Sequence, residues 1–204
     1  MNKQEIFFEY VKTNFPERED EIIDMFNLYY NVLVDANVKI NLFSRKMPLE
    51  DIWITHFMDS LLPYKLIEGK NLRILDFGTG GGLPGIPMAI INPDSNVNLL
   101  DSKRKKIMVL DEMLDIMGLD NVDVIWTRLE EYITSRRYDY IICRSVKIVP
   151  ELKRPLMRLL KKSGKIILFK SKILDDVLQF QNYKIHDFSS EIVGTRKVVE
   201  IRHE

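Results

Sequence analysis

Apolar residues recur with a helical period over roughly the first 70 positions of the chain. Three segments carry this pattern: "EIFFEYVKTNF", "EDEIIDMFNLYYNVLVDAN" and "PLEDIWITHFMDSLLPYKLI". In the third segment Pro48 stands where the first turn of a helix tolerates proline. We therefore expect residues 1–70 to form an N-terminal helical cap, and residues 71–204 to form a second unit.

From Leu72 onward the pattern changes to short apolar runs separated by amphipathic segments. The runs are "RILDFG", "NVNLLD", "VDVIWTR", "YDYIICRS", "GKIILFK", "KIHDFSSEI" and "RKVVEIRH". Helical segments "PGIPMAIIN", "KRKKIMVLDEMLDIMG" and "PELKRPLMRLLKKSG" lie between the earlier runs. Such alternation is typical of an α/β fold with a mainly parallel sheet covered by helices on both faces. The last two runs have no helix between them, so we expect a hairpin at the sheet edge.

Composition is that of a globular protein: 204 residues, 46% hydrophobic and 29% charged. No apolar run reaches the length of about 20 residues that a membrane helix needs, and the first residues lack the features of a signal peptide. The single cysteine, Cys143, excludes an internal disulfide framework and a cysteine-rich zinc site. We expect a cytoplasmic protein with neither a membrane partner nor a bound metal.

Charge is balanced overall but unevenly distributed. The formal net charge is zero, yet residues 144–172 are rich in lysine and arginine, residues 103–106 read "KRKK", and the first 35 residues are acidic. A surface that faces phosphates could arise from this asymmetry, and solvated helix faces are the alternative. Within the long basic run, we expect Lys161, Lys162 and Lys165 to contribute to RNA binding.

A glycine cluster follows the first apolar run, in "RILDFGTGGGLPGIP". In an open α/β sheet, ligands bind beyond the carboxyl ends of the strands, and a helix N-terminus there offers unpaired N–H groups. The first strand ends at Asp76 and is followed by Gly78 and Gly80. The second ends at Asp101, where a carboxylate would accept both hydroxyls of a ribose. The sequence therefore predicts a ligand that contains adenosine.

Three classes of cofactor compete for this loop. A P-loop is excluded because "GLPGIP" stands in place of Gly-Lys-Ser/Thr. A dinucleotide motif is formally present at Gly80, Gly82 and Gly85, but Asp76 just before the glycines would repel a phosphate and attract a cation. S-adenosylmethionine carries a sulfonium and an ammonium, so we favour it, with Asp76 on its ammonium and Asp101 on its ribose. A nicotinamide-dependent oxidoreductase is the alternative.

Several motifs resemble those of the bacterial RsmG or GidB family, the 16S ribosomal RNA guanine-N7 methyltransferases. They are "RILDFGTGGGLPGIPMAIINPD", "NLLDSKRKK", "NLFS", "HFMDSLL", "RLEEY", "YDYIICRSV" and "GKIILFK". The resemblance covers most of the chain after about residue 38. It implies the Rossmann-like class I S-adenosylmethionine-dependent methyltransferase fold with seven strands. It also implies a monomer that acts on 16S RNA or the 30S subunit, not on DNA.

The resemblance also implies which residues contact the cofactor. These are Gly78 and Leu83 in the glycine loop, Leu129 and Glu130 after the third strand, and Arg144 after the fourth. Three positions depart from the family pattern toward the RNA side: Lys147, Ser163 and Ser171.

No catalytic base is expected, because guanine N7 is a neutral lone pair that carries no proton. Alignment alone can supply about 7–11 kcal/mol of the barrier reduction in such a displacement. The alternative to a methyltransferase is a non-catalytic, RNA-binding ribosome assembly factor with the same fold. Cys143 reads as a buried structural cysteine. His56, Asp59 and Ser60 have the letters of a hydrolase triad but crowd one helical turn, so we interpret His56 as structural or as a substrate-edge residue.

Overall fold

A seven-stranded sheet forms the centre of the computed structural model, which describes residues 1–203. The strands are β1 (Arg73–Phe77), β2 (Asn96–Asp101), β3 (Val122–Trp126), β4 (Tyr138–Arg144), β5 (Leu160–Lys170), β6 (Tyr183–Asp187) and β7 (Lys197–Arg202). Their order across the sheet is β3-β2-β1-β4-β5-β7-β6. Strands β1 to β5 are parallel, and β7 lies antiparallel between β5 and β6. The mainly parallel sheet and the terminal hairpin are both confirmed.

Six α-helices flank the sheet. They are α1 (Lys3–Asn14), α2 (Glu19–Lys39), α3 (Asp59–Leu61), α4 (Gly85–Ile91), α5 (Arg104–Met117) and α6 (Pro150–Leu159). Helix α1 begins at a capping box formed by Asn2 and Glu5, and α5 ends where Gly118 adopts a left-handed φ of 63°. Within residues 1–203, no helix has the length and apolar character needed to cross a membrane.

The third expected cap helix is broken into pieces. A 3-10 turn (Leu49–Asp51) leads into a π-helical segment (Trp53–Met58), and α3 follows directly. The rings of Trp53 and Phe57 both pack against Phe7, with centroid distances of 5.7 and 6.0 Å. Residues four apart share one face of an ordinary helix as well, so the apolar period does not reveal the π-helical hydrogen bonding.

The cap and the sheet share one hydrophobic core. Phe7, Phe26 and Phe57 of the cap belong to the same buried cluster as Ile74 of β1 and Ile142 of β4. The helices of the first 70 residues therefore pack directly on one face of the sheet and close that side of its carboxyl edge.

On the opposite face, α6 covers only the β4–β5 side. Between β3 and β4, residues 127–137 contain no helix. A polar network lies there instead, in which Oδ1 of the buried Asn98 accepts hydrogen bonds from Arg73 and Tyr138 at 3.1 and 2.8 Å. Hydrogen bonding thus pairs the buried amide of Asn98 where a covering helix is missing, although Nη1 of Arg73 is buried without a partner among the described residues.

Candidate cofactor and acceptor cavities

Two neighbouring cavities open at the carboxyl ends of the strands. The first, of about 610 Å³, lies over the ends of β1, β2 and β3, and we call it the cofactor cavity. The second, of about 750 Å³, lies over the ends of β4 and β5 and the start of β7, and we call it the acceptor cavity. The residues shared by both linings are Met47, His56, Arg144, Ser145 and Val146. The two spaces are large enough for a nucleoside-sized ligand each and meet at the end of β4.

The glycines of the β1–α4 loop serve two different purposes. Gly78 lines the cofactor cavity with a φ of 73°, and a Cβ there would lie 2.5 Å from Val146 Cγ2. Gly85 begins α4, and a Cβ there would lie 2.3 Å from Leu99 Cδ2. Gly78 lets the side chain of Val146 approach the loop in the cavity lining, whereas Gly85 lets the helix approach the sheet.

Asp76 does not face the cavity as the sequence suggested. Its side chain is fully buried, and its Oδ2 accepts hydrogen bonds from Thr79 Oγ1 at 2.6 Å and from the Gly85 N–H at 2.8 Å. Burial raises the pKa of this carboxyl group to about 7. The carboxyl group lies behind the loop because α4 packs so closely on β1, and it holds the loop instead of contributing to the cavity wall.

Asp101 does line the cofactor cavity, at the end of β2. Its Oδ2 accepts a hydrogen bond from the Gly80 N–H at 3.1 Å, and its Oδ1 accepts one from the Lys103 N–H at 2.8 Å. Each carboxylate oxygen keeps a further lone pair, so the group is fixed in position and can still accept hydroxyl donors.

The other expected cofactor residues also lie in this wall. Leu83 and Leu129 are buried in it, Gly80 contributes backbone, and Glu130 is exposed at the rim. The structure thus brings together all of the expected cofactor residues except Asp76.

Arg144 occupies the junction between the two cavities. Its Nη1 donates hydrogen bonds to Asp59 Oδ2 at 3.0 Å and to the Thr55 carbonyl oxygen at 3.2 Å. The other oxygen of Asp59 accepts a hydrogen bond from Arg196 Nε at 2.6 Å. The Arg144 and Asp59 side chains are 12% and 8% exposed, so this ion pair is strongly desolvated. Residues from β4, the cap and the β6–β7 loop are thereby locked together.

His56 lies in the lining of both cavities. Burial and the neighbouring Arg144 lower its pKa to about 4, so the imidazole is neutral at pH 7. Ser60 Oγ donates to the His56 carbonyl oxygen at 2.6 Å, which is a helical contact and not a nucleophile–base pair. Cys143 is buried outside both linings, and burial raises the pKa of its thiol. Neither group is arranged as a nucleophile.

Lys161 and Lys165, two of the lysines expected to bind RNA, lie toward the amino end of β5, whereas the cavities lie at the carboxyl ends of the strands. Strand β5 begins at Leu160 opposite Tyr138 and reaches the carboxyl edge only at Lys170, so Lys161 and Lys165 are near its far end. Lys161 Nζ is 2.8 Å from Asp139 Oδ1, and Lys165 Nζ is 3.4 Å from Glu200 Oε2. The structure therefore places Lys161 and Lys165 away from both cavities, because a basic run that follows one strand extends from one end of that strand to the other.

Other basic residues lie at the carboxyl edge. Those in the two cavity linings, besides Arg144, are Lys103, Lys106, Arg128, Lys147, Lys170, Arg196 and Lys197. Sequence reasoning missed Arg196 and the role of Asp59. One signal was available for Arg196, since an antiparallel last strand must begin at the edge where its parallel neighbours end.

Comparisons with known proteins agree with this geometry. The family model described as rRNA small subunit methyltransferase G, GidB, matches residues 22–200. The chain is 34% identical over 203 residues to the ribosomal RNA small subunit methyltransferase G of Christiangramia forsetii, covering 94% of this chain and 95% of that protein. It is 37% identical over 180 residues to the protein of the same name from Mesoplasma florum, covering 87% and 75%.

Solved structures share the fold at low sequence identity. A mutant of MtNAS in complex with S-adenosylmethionine has a TM-score of 0.62 at 15% identity, covering 99% of this chain and 88% of that one. The precorrin-6y C5,15-methyltransferase of Geobacter metallireducens has a TM-score of 0.58 at 15% identity, covering 72% and 87%. These likenesses confirm the expected class I methyltransferase fold.

Proposed function

The chain belongs to the family of small-subunit ribosomal RNA methyltransferases G, and from this premise we propose that it methylates N7 of a guanine in 16S ribosomal RNA. The methyl donor is S-adenosylmethionine. The acceptor is the 30S subunit or its RNA, which also implies that the protein works in the cytoplasm. We further propose that it acts as a monomer.

One observation carries this proposal: the cofactor cavity lies next to a second cavity of nucleoside size, and Arg144 lines both. Methyl transfer needs donor and acceptor side by side with water excluded between them, and two cavities that share one wall provide that arrangement. A small-molecule acceptor would need only a closed pocket. The acceptor cavity also includes Lys147 and Lys197 in its lining, and these basic residues suit the phosphates of RNA.

The residues of the cofactor cavity fit an adenosine-containing methyl donor. The space above Gly78 is one that a Cβ would disturb, and the lone pairs of Asp101 suit the two hydroxyls of a ribose. We assign Leu129 and Glu130 to the adenine side, and Leu83 with Gly80 to the loop that bears on the methionine portion. We assign Asp76 the role of fixing that loop from behind.

When bound, S-adenosylmethionine supplies a methyl group activated by a sulfonium. The protein need not remove a proton, because guanine N7 offers a free lone pair. His56 is neutral and so adds no positive charge at the junction, where the guanine ring becomes cationic. The contribution of this chain is therefore alignment, with Arg144 and Asp59 holding the wall between the two cavities.

The two alternatives are less well supported. No observation singles out a nicotinamide dinucleotide, and the matching relatives are named as methyltransferases. A non-catalytic assembly factor would not need the cofactor wall around Asp101 and Gly78.

The proposal is tested by binding and by transfer. We expect calorimetry to detect S-adenosylmethionine and not NAD, and 7-methylguanine to appear in 16S RNA when 30S subunits lacking the modification are incubated with enzyme and cofactor. Tight cofactor binding without transfer to subunits, naked RNA or small molecules would support the assembly-factor reading instead.

Asp101→Ala tests the cofactor site separately. We expect cofactor affinity to fall about 10- to 100-fold, as for loss of hydrogen bonds to a charged acceptor. Asp123→Ala, on the exposed side of β3, is the matched control and should bind normally. Equal affinity of both variants would remove Asp101 from the site.

A further inference from the structure

A buried ion pair in the acceptor cavity places a hydrogen-bond donor beside an acceptor. Lys170 ends β5, and Asp176 lies in the 3-10 turn Asp175–Val177 that follows. Lys170 Nζ is 2.5 Å from Asp176 Oδ2, and the two side chains are only 11% and 5% exposed. Asp176 Oδ2 also accepts a hydrogen bond from the Ile148 N–H at 2.8 Å. The pair is thus fixed by two backbone segments.

Other charged groups of this cavity are less available to read a base. Both oxygens of Asp59 are engaged, one by Arg144 and one by Arg196. Lys147 is exposed at the rim, where water competes for its hydrogen bonds. Lys170 uses one of its three N–H donors on Asp176, and Oδ1 of Asp176 accepts no hydrogen bond from the described residues.

This arrangement matches one edge of guanine. On guanine the O6 acceptor lies next to the N1–H donor, and adenine reverses both, with an N6 amino donor next to an N1 acceptor. Resting on the proposed function, we propose that Lys170 donates to O6 of the target guanine while Asp176 accepts from its N1–H, so that this pair selects guanine over adenine.

The pair lies close to the junction of the two cavities. Lys170 ends β5, which neighbours β4, and the last residue of β4, Arg144, lines both cavities. Asp176 accepts its backbone hydrogen bond from Ile148, four residues after Arg144. Around guanine the sequence of atoms is N7, O6, N1. A base that meets Lys170 with O6 and Asp176 with N1 has its N7 on the side of O6 away from Asp176, and in this proposal that side faces the cofactor cavity. Phe169 and Val198 provide apolar surface in the same lining.

Charge also favours a pair over a lone lysine. Methylation at N7 gives the guanine ring a positive charge, which an isolated ammonium close to O6 would oppose. Asp176 cancels the charge of Lys170, so the donor is kept without that penalty. Because both groups are buried, a base that gives no partner to the remaining donors of Lys170 and to Oδ1 of Asp176 is rejected more strongly than at an exposed site.

Base analogues test the inference with the unmodified enzyme. Small-subunit particles are reconstituted with RNA carrying guanine, inosine, 2-aminopurine or adenine at the methylated position, and methyl transfer is measured. Inosine keeps O6 and N1–H and should react at a rate close to that of guanine. The analogue 2-aminopurine lacks both groups, and transfer to it should be about 10- to 100-fold slower.

Variants then assign the discrimination to the pair. Lys170→Met should slow transfer to guanine about 10- to 100-fold and bring the guanine and 2-aminopurine rates close together. Lys170→Arg retains a donor and should retain the preference. The matched control, Lys162→Met, changes an exposed lysine at the far end of the same strand and should leave rates unchanged. Cofactor affinity should be equal in all three.

Failure of this inference is distinct from failure of the proposed function. Absence of transfer to guanine by the unmodified enzyme would overturn the function itself. Equal transfer to guanine and 2-aminopurine, or a Lys170→Met enzyme that keeps the full preference, would overturn the role of the pair while leaving the function intact. If Lys170→Met does not fold, the analogue series decides alone.

Discussion

The two edges of the sheet carry similar residues but treat them differently. Where β5 begins, Lys161 pairs with Asp139 and Lys165 pairs with Glu200, while Lys162 is exposed. At the carboxyl ends of the strands, Arg144, Arg196 and Lys170 are paired with acids inside the acceptor cavity, whereas Lys103 and Lys147 are exposed in the cavity linings. Charge that is neutralised locally contributes little to attracting a polyanion, whereas unmatched charge around a cavity does. The location of a lysine along its strand therefore decides its function more than the density of lysines in the sequence.

Breaking one ion pair at each end of the strands should give the largest difference in methyl transfer and in unfolding free energy. We expect Arg144→Met to reduce methyl transfer at least about 100-fold, since it removes the group that joins both cavities. It should also lower the free energy of unfolding by up to about 3 kcal/mol, because Asp59 remains buried with only Arg196 as its partner. Urea unfolding and a transfer assay measure the two effects.

Lys161→Met is the comparison at the opposite edge. Its pair with Asp139 is partly exposed, so we expect a change in unfolding free energy below about 1 kcal/mol and no change in transfer. Equal losses of transfer in both variants would mean that the two edges do not differ in function.

The next effect concerns RNA binding. Replacing Lys147 and Lys197 by alanine should weaken binding to 16S RNA and reduce the slope of log K against log salt by about 0.7–0.9 for each phosphate that the protein no longer neutralises. Replacing Lys161, Lys162 and Lys165 should leave the slope unchanged. Filter binding across salt concentrations measures these slopes. A reduced slope only in the variant that lacks Lys161, Lys162 and Lys165 would mean that RNA binds near the start of β5.

A smaller effect is expected from the buried carboxyl group of Asp76. Its folded pKa of about 7 lies above the value of about 3.9 for an unfolded chain, so the folded state binds more protons between these limits. Its contribution to stability is therefore fully present below about pH 4 and is lost as the pH rises toward 7. Asp76→Asn should flatten this dependence in urea unfolding at pH 4.5, 6 and 7.5. Parallel curves for both proteins would contradict the shift.

The smallest effect on activity should come from Cys143→Ala. The thiol is buried outside both linings, so transfer should be unchanged and unfolding free energy should fall by about 1 kcal/mol from reduced packing. A folded variant that binds cofactor but transfers no methyl group would instead indicate a covalent mechanism.

Much of the fold follows from the sequence because buried parallel strands read as short apolar runs. The sheet, the hairpin and the helices between the strands were all predictable in this way. The π-helical segment Trp53–Met58 was not, since its apolar period resembles that of an ordinary helix.

The positions of site residues at strand ends could be predicted from the sequence. Contacts between residues far apart in the sequence could not. The position of Asp101 follows from the rule that ligands lie beyond carboxyl ends. The direction of the Asp76 side chain does not, because strand residues alternate between faces and the closeness of α4 decides what they meet. The contact between Asp59 and Arg196 joins residues 137 positions apart, and no local pattern indicates it.

For protein engineers, the glycine loop contains one position that does not accept a side chain, Gly85, and one that has room for it, Gly80. At Gly85 any side chain would collide with Leu99 and Asp76, so we expect most substitutions there to prevent correct folding. Gly80 has free space around its missing Cβ, with Lys106 Nζ the nearest atom at 3.8 Å, although its φ of 61° restricts the choice to residues such as asparagine. Directed evolution toward cofactor analogues with bulkier substituents should therefore begin at Gly80 and leave the helix start untouched.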